Sequence, residues 1–266
     1  MNDHGSKSGA TAKRPRCGKM CSVVVLLIVS FAGTIRADVF TLDPNASTLT
    51  ISGSNAIAGT IVPHGPGSLT TSYSGTIDAT LGGNSITFNM ADAMAAITGS
   101  WQPAPGMGAG TTAPADYGIA FTTSSTTNAY AAVRNLTLDL TSGAIPVTGT
   151  AFDASQISIS SSGTTDYTSI LGNGSVDLTT LGAKQNTATA GMLTMSGNIE
   201  TLTIPVNITE MLSIVSPNDT TVTFTGTLVA TETIPEPSTA ALLFVGCAAV
   251  AACVSCRCRA WVAKVG

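Results

Sequence analysis

Few side chains between residues 38 and 233 could carry nucleophilic or acid–base chemistry. A Ser-His-Asp triad would have to use His64, the one histidine of this segment, in the run Pro63-His64-Gly65-Pro66-Gly67. The Gly-x-Ser-x-Gly elbow that presents a nucleophilic serine does not occur in the sequence. We expect a histidine in such a Pro/Gly turn to be solvent-exposed. The sequence therefore predicts no catalytic residue of this kind.

Carboxylates are the other reactive groups, and the segment carries thirteen of them. Two facing carboxylates would suffice for a glycosidase, but the acids fall singly in polar turns or at strand positions that we expect to face solvent. Calcium could bind at Asp43-Pro44-Asn45 or Asn218-Asp219, although the sequence has no twelve-residue calcium loop. We predict no enzyme activity and no cofactor, with calcium as the one candidate ion.

The cysteines and the charges describe an unusual segment. All six cysteines (17, 21, 247, 253, 256 and 258) lie outside residues 38–233, so no disulfide can stabilise that part. Arg134 and Lys184 are its only basic residues, which with thirteen acids gives a net charge of −11, against −4 for the whole chain. Nucleic-acid binding needs lysine and arginine for the phosphates. The charge therefore excludes a nucleic-acid partner.

The longest irregular stretch, residues 99–118, carries prolines, Trp101 and Tyr117. Long loops in compact domains are often functional, so Trp101 and Tyr117 are the first candidates for a ligand contact. On that basis a secreted carbohydrate-binding or carbohydrate-active domain is the alternative function. The other interpretation is a proline-stiffened surface loop with Trp101 tucked into the core.

Periodicity predicts a mainly β fold, an antiparallel β-sandwich or a barrel-like sheet. Leucines alternate with polar residues at 136–140, and aliphatic residues alternate with Thr and Asn at 201–209, as in half-buried strands. Pro205 predicts an edge strand or a bulge in the second run. One short segment, Met90 to Ile97, is predicted to be helical. Further strands are predicted at 47–52, 57–62, 70–81, 85–90, 129–134, 155–160, 192–196 and 221–231.

Two segments of the sequence, here called the echo segments, share one residue pattern. Tyr73 to Thr80 and Phe224 to Thr231 share an aromatic residue, Gly, Thr, an aliphatic residue, Ala and Thr at identical offsets. Two interpretations remain open. The segments are equivalent or paired strands from an old duplication, or the match arises by chance in a chain rich in Thr, Gly and Ala.

The N-terminal segment has the order of a secretory signal peptide. Five basic residues within positions 1–20 precede an apolar run from Val23 to Ala32, and a short segment then ends at Ala37. Basic region, apolar run and small terminal residue are the three parts of such a signal. We predict a signal peptide at 1–37, with cleavage after Ala37.

The C-terminal segment, 234–266, has the order of a sorting and anchoring signal. Prolines on both sides of Glu236 keep that stretch extended, and the 20 residues 239–258 are mostly apolar. As a helix they would span roughly 30 Å, one bilayer core. Basic residues favour the cytoplasmic side, which places the C-terminus inside the cell and 38–233 outside; these residues are Arg257, Arg259 and Lys264. An unprocessed single-span anchor is the alternative.

The tail resembles the PEP-CTERM sorting signal, on the motif Pro235-Glu236-Pro237, the apolar helix and the basic cluster. The resemblance covers about 30 of the 266 residues, and the run 224–231 also resembles the strand that often precedes such tails. It implies recognition by an exosortase-type membrane protease after passage through the secretion translocon. It further implies a location at the cell surface or in the extracellular polysaccharide matrix. We therefore expect an exported, non-catalytic structural or adhesive protein.

Overall fold

The described part of the chain folds mostly into antiparallel strands. A computed structural model describes residues 36–64, 68–89, 92, 94–97, 114–169, 172–215 and 218–234, which belong to one compact unit, Ile35–Ile234. One short helix, α1 (Ser124–Thr127), and two 3-10 turns, Ala154–Gln156 and Leu178–Leu181, interrupt the strands. The strands are β1 (Arg36–Leu42), β2 (Thr48–Asn55), β3 (Gly59–Pro63), β4 (Thr70–Ser74), β5 (Thr76–Gly82), β6 (Ser85–Phe88), β7 (Met94–Ala96), β8 (Tyr117–Phe121), β9 (Tyr130–Thr141), β10 (Ile145–Thr148), β11 (Ala151–Asp153), β12 (Ser158–Ser169), β13 (Gly172–Asp177), β14 (Lys184–Gln185), β15 (Ala190–Ser196), β16 (Ile199–Val215) and β17 (Asn218–Thr233).

Eight of the strands close into an antiparallel barrel. The neighbour order is β1-β5-β6-β10-β11-β15-β16-β17, and β17 returns to β1. The first strand of the described chain closes the circle, since Phe40 lies opposite Ile77 of β5 and Leu42 lies opposite Ala230 of β17. The mainly β, antiparallel prediction is confirmed. Of the two predicted architectures, the sandwich and the barrel, these eight strands form the barrel.

Alternation along the barrel strands puts the apolar residues on the inner face. Phe40, Ile77, Leu202, Ile204 and Leu228 are fully buried, and the rings of Phe88 and Phe152 lie 6.0 Å apart. Burial of each such side chain stabilises the fold by about 1.5–3 kcal/mol. The barrel interior is therefore an apolar core for most of its length.

The long hairpin β16–β17 connects the barrel to the remaining strands. The half of β17 near its start, Thr220 to Thr227, pairs with β2, and β2 pairs along its other edge with β3 and β4. From there the sheet continues through β7 and β8 to β9 and β12. β13 and β14 follow on the far edge of β12. The strands outside the barrel thus form one sheet that starts from the barrel's own hairpin.

The predicted helix at Met90 to Ile97 is wrong in the described part of this segment. Met94–Ala96 is a strand, β7, which pairs with β4 and β9. Met94 is fully buried opposite Leu138, so a tertiary contact overrides the helix propensity of Met and Ala. The predicted strand 70–81 is likewise two strands, which separate at Gly75.

Pro205 lies at a local edge, as its missing backbone donor requires. β15 pairs with β16 only as far as Thr203, and beyond it the buried Asn186 side chain takes the place of a strand. Its Nδ2 donates to the Pro205 carbonyl (2.8 Å), and its Oδ1 accepts from the Asn207 N–H (2.8 Å). Past the proline, the Asn186 side-chain amide and the Thr187 backbone N–H, which donates to the Asn207 carbonyl (2.9 Å), replace the missing strand pairing.

The two echo segments occupy equivalent positions in the sheet. β4, which contains Tyr73, and the first half of β17, which contains Phe224, pair with opposite edges of β2. β5 and the second half of β17 then pair with opposite edges of β1. The first segment changes partner at Gly75, while β17 still pairs with β2 through Thr227 and pairs with β1 from Ala230. The segments are equivalent strands that flank the same neighbours, and they do not pair with each other.

Candidate functional site

Three carboxylates meet at one end of the barrel. Asp38 on β1, Glu200 on β16 and Glu232 on β17 are here called the carboxylate cluster. Each continues an apolar face: Asp38 stands two residues before Phe40, Glu200 two before Leu202 and Glu232 two after Ala230. Glu200 and Glu232 are direct cross-strand partners. Strand geometry therefore turns all three toward the inside.

The cluster is compact and largely shielded from water. One carboxylate oxygen of each residue lies within 4.8 Å of the corresponding oxygens of the other two. The side chains of Asp38, Glu200 and Glu232 are 1%, 8% and 20% exposed. Asp38 Oδ2 and Glu232 Oε2 are buried without a hydrogen-bond partner. Burial, followed by the charge of Asp38, raises the pKa of Glu232, so the site disfavours three negative charges.

One basic residue lies within this group. The Arg36 guanidinium makes close ion pairs with Asp38 and Glu200, and its Nη2 lies 3.7 Å from Glu232 Oε2. Arg36 belongs to β1 and stands on the same strand face as Asp38. A single positive charge therefore faces three carboxylates.

Asp116 is buried and Asp92 is half-buried, so the expectation of solvated carboxylates is wrong for these two acids. Asp92 accepts hydrogen bonds from the backbone N–H groups of Asp78 (2.8 Å) and Leu140 (2.6 Å), and burial raises its pKa to about 7. Asp116 accepts a hydrogen bond from the Leu136 N–H (2.8 Å). These two carboxylates hold strand backbones together and serve the fold.

The two basic residues of 38–233 each have an acidic partner outside the cluster. Arg134 Nη1 lies 2.6 Å from Asp166 Oδ2, and Lys184 Nζ lies 3.4 Å from the buried Glu210. Burial raises the pKa of Glu210, and the ammonium of Lys184 lowers it. Both basic residues thus neutralise carboxylates that lie elsewhere in the fold.

The outer surface of β4, β2, β17 and β16 presents ordered rows of hydroxyl groups. Strand pairing places Thr70, Thr50 and Thr225 in one row and Ser52, Thr223 and Thr209 in the next. Hydroxyl pairs bond across the strands, Thr50 to Thr70 at 2.7 Å and Thr209 to Thr223 at 3.1 Å. None of these side chains is buried or charged. This hydroxyl face comprises Thr48, Thr50, Ser52, Ser54, Thr70, Ser72, Thr209, Thr221, Thr223, Thr225 and Thr227.

Of the two ligand candidates from residues 99–118, the structure describes Tyr117 only. Tyr117 is fully buried, donates a hydrogen bond to the Leu49 carbonyl (3.2 Å), and contacts the Tyr73 hydroxyl. It fills the core and cannot contact a ligand at the surface. Trp101 lies outside the described residues. His64 is not exposed, contrary to expectation, because its ring stacks on Tyr130 with centroids 4.2 Å apart; burial lowers its pKa.

The predicted calcium turns have local hydrogen-bond roles. Asp43 Oδ1 accepts from the Asn45 N–H (2.9 Å), and Asp219 Oδ1 accepts from the Ser213 hydroxyl (2.6 Å). Within the described ranges, the one group of three or more acidic, histidine or cysteine side chains close enough for an ion is the carboxylate cluster. Its signal was present in the sequence, since each of its acids continues an alternating apolar run.

The terminal site residues fall partly outside the described chain. Ala37, the predicted cleavage residue, lies in β1 opposite Thr80 of β5. The sorting motif and the basic cluster lie outside the described residues, as does the predicted helix 239–258; these site residues are Pro235, Glu236, Pro237, Arg257, Arg259 and Lys264. In the part of the chain that the structure describes, no helix is long and apolar enough to cross a membrane.

Comparison of the chain with protein-family models, with curated proteins and with solved structures finds no match.

Proposed function

We propose that the protein is exported through its signal peptide (1–37), sorted through its C-terminal tail (234–266), and acts outside the cell as a non-catalytic adhesive or structural protein. The predicted exported part, 38–233, falls within the compact unit Ile35–Ile234, which supports these boundaries. Its acidity and its lack of cysteine suit a soluble domain at a surface or in a polysaccharide matrix. The exosortase-type protease, the translocon and the membrane are its partners in transit.

The hydroxyl face carries the adhesive part of the proposal. Neighbouring strands lie about 4.8 Å apart and alternate residues along a strand about 6.7 Å apart, so the hydroxyls form a regular two-dimensional array. Each hydroxyl can both donate and accept a hydrogen bond, as can the hydroxyls of a polysaccharide. A face without charge also avoids repulsion between the acidic domain and acidic polymers. Many weak contacts on one repeating polymer add up to firm attachment.

Mass spectrometry of the protein recovered from the cell surface tests the sorting part. We expect the 240–266 peptide to be missing from the unchanged protein. The triple variant P235A/E236A/P237A should remain in the membrane with its tail, while the matched control S238A/T239A should be processed. Recovery of an intact C-terminus from mature surface material of the unchanged protein would identify an ordinary anchor.

Retention on polysaccharide tests the adhesive part. The probes are insoluble cellulose, chitin, and extracellular polysaccharide isolated from the producing cells. The variant S52E/T225E places two charges on the hydroxyl face and should lose retention, while T41E/T148E adds the same charges at exposed positions elsewhere and should keep it. Equal retention of both variants, or failure of the unchanged protein to bind any probe, contradicts the adhesive role.

A further inference from the structure

The positive charge inside the carboxylate cluster comes from a residue that the predicted signal cleavage would remove. Arg36 immediately precedes Ala37, and cleavage after Ala37 leaves Asp38 as the first residue. Arg134 and Lys184, the only basic residues between 38 and 233, are paired with Asp166 and Glu210. The processed domain therefore has no basic side chain left for Asp38, Glu200 and Glu232.

The new α-amino group at Asp38 would not balance the cluster. It adds one positive charge near three carboxylates, which leaves a net charge of −2 at a buried position. Uncompensated buried charge costs several kcal/mol. Two oxygens of the cluster, Asp38 Oδ2 and Glu232 Oε2, are already buried without a donor while Arg36 is in place. The cluster must therefore gain positive charge, either as protons on its carboxyl groups or as a bound cation.

A calcium ion has the required charge and size. Ca²⁺ binds carboxylate oxygens at about 2.3–2.6 Å, so ligand atoms on opposite sides of the ion lie about 4.6–5.2 Å apart. The cluster oxygens lie within 4.8 Å of one another. Mg²⁺ demands a near-ideal octahedron at about 2.0–2.1 Å and gives up its waters reluctantly, whereas Ca²⁺ accepts irregular sets of carboxylate oxygens. The irregular, all-carboxylate character of the cluster therefore favours the larger ion.

We propose that removal of residues 1–37 converts the Arg36-filled carboxylate cluster into a Ca²⁺ site formed by Asp38, Glu200 and Glu232. In the precursor, the Arg36 guanidinium occupies the position of the ion and excludes it. In the processed protein, Ca²⁺ links β1, β16 and β17 at the closing seam of the barrel, so the domain gains stability only after export. This inference rests on the export half of the proposed function.

The experiment compares processed and unprocessed protein. The processed form is purified from the exported fraction, and its N-terminus is sequenced. The unprocessed form carries A37L, a large residue at the cleavage position that signal peptidase does not accept, and is purified in detergent. Isothermal titration with CaCl₂ and with MgCl₂ gives the affinities, and thermal melts with each salt give the shift in Tm. We expect a Ca²⁺ Kd of about 10⁻⁴–10⁻³ M for the processed form, the range of extracellular calcium modules.

Matched variants separate the cation site from the cleavage. The unprocessed A37L protein should bind Ca²⁺ at least about tenfold more weakly, and the additional change R36Q should restore binding without any cleavage. E232Q should abolish Ca²⁺ binding and the shift in Tm, while E210Q, at a buried acid away from the cluster, should keep both. Equal Mg²⁺ and Ca²⁺ affinities would contradict the assignment of the ion.

The outcomes identify which proposal fails. If neither the processed protein nor the R36Q/A37L precursor binds Ca²⁺, the cation site is overturned while export stands. If the exported protein begins before Arg36, the coupling to cleavage is overturned. If the chain is not exported, the proposed function itself is wrong, and R36Q/A37L still reports on the site.

Discussion

The hydroxyl groups of Tyr73 and Tyr117 lie 3.1 Å apart in the core, where they connect β4 to β8. Tyr117 donates to the Leu49 carbonyl, so the Tyr73 hydroxyl donates to Tyr117. The ring of Tyr117 also meets Phe224 edge-on, with centroids 6.1 Å apart. The buried Tyr117 of β8 therefore links β4, through Tyr73, and β2, through Leu49.

Y117F should destabilise the protein by about 1–2 kcal/mol, because it leaves the Tyr73 hydroxyl and the Leu49 carbonyl without this partner. Y73F removes only one hydrogen bond and leaves Tyr117 bound to Leu49, so its cost should be smaller. The measurement is the free energy of unfolding in urea. A larger loss for Y73F than for Y117F would contradict the direction of the hydrogen bonds.

The Asp92 carboxyl should make stability fall as the pH rises. Its folded pKa of about 7 lies above its ordinary value, so the folded protein binds the proton more tightly between about pH 4 and pH 7. The contribution of Asp92 is fully present below that window and is lost as the pH rises through 7. Asp139 and Asp78 add to this shift through their charges.

D92N tests this prediction because the amide does not titrate. The free energy of unfolding of the variant, minus that of the unchanged protein, should increase between about pH 4 and pH 8. Urea unfolding at several pH values gives this difference, in which the other carboxylates cancel. A difference that stays constant with pH would show that the two backbone N–H bonds to Asp92 keep it ionised.

Gly53 and Gly226 allow β2 and β17 to pair closely beneath the hydroxyl face. A Cβ at Gly53 would overlap the Thr221 carbonyl, and one at Gly226 would overlap the Thr48 carbonyl. G226A and G53A should each cost about 1–3 kcal/mol through this overpacking. G143A is the control, since nothing lies within 4 Å of its added carbon. Equal melting temperatures for G226A and G143A would contradict the close approach of these strands.

Removing one partner of the Lys184–Glu210 pair should lower the free energy of unfolding more than removing both. K184M leaves Glu210 as a buried charge without a base, and we expect a loss of about 1–3 kcal/mol at neutral pH. The double variant K184M/E210M removes both charges and should recover most of that loss. Chemical unfolding of the four proteins in this cycle measures the coupling. Additive losses would indicate that the two side chains act independently.

Strict alternation made much of the fold predictable from the sequence. The leucines of 136–140 became the inner face of β9, and the aliphatic residues of 202–208 became that of β16, because a period of two suits only a strand with one buried face. Met94 was misjudged because a short run of Met and Ala carries no β signal. Its burial depends on Leu138, a partner that lies far along the chain.

The carboxylate cluster was missed for a different reason. The apolar alternation of β16 continues in both directions to Glu200 and Glu210, and that of β17 continues to Glu232. Alternation along the strands predicts that the side chains at these positions point inward. Acids are almost never fully buried without a partner, so the residue type predicted exposure to solvent instead. Which acids meet depends on the closure of β1 against β17, and no local pattern encodes it.

The pairing of β1 with β17 also determines when folding of the barrel can finish. Thr41 and Thr231 are partners, so β1, the first described strand, cannot complete its pairing until β17, the last one, is present. A chain delivered through a translocon from its N-terminus keeps β1 without its second neighbour until almost the whole domain has crossed. Non-local pairing of this kind also slows folding. Under the proposed export, closure of the barrel would therefore come last, and any chaperone that protects the emerging chain would act on an open sheet with β1 at its edge.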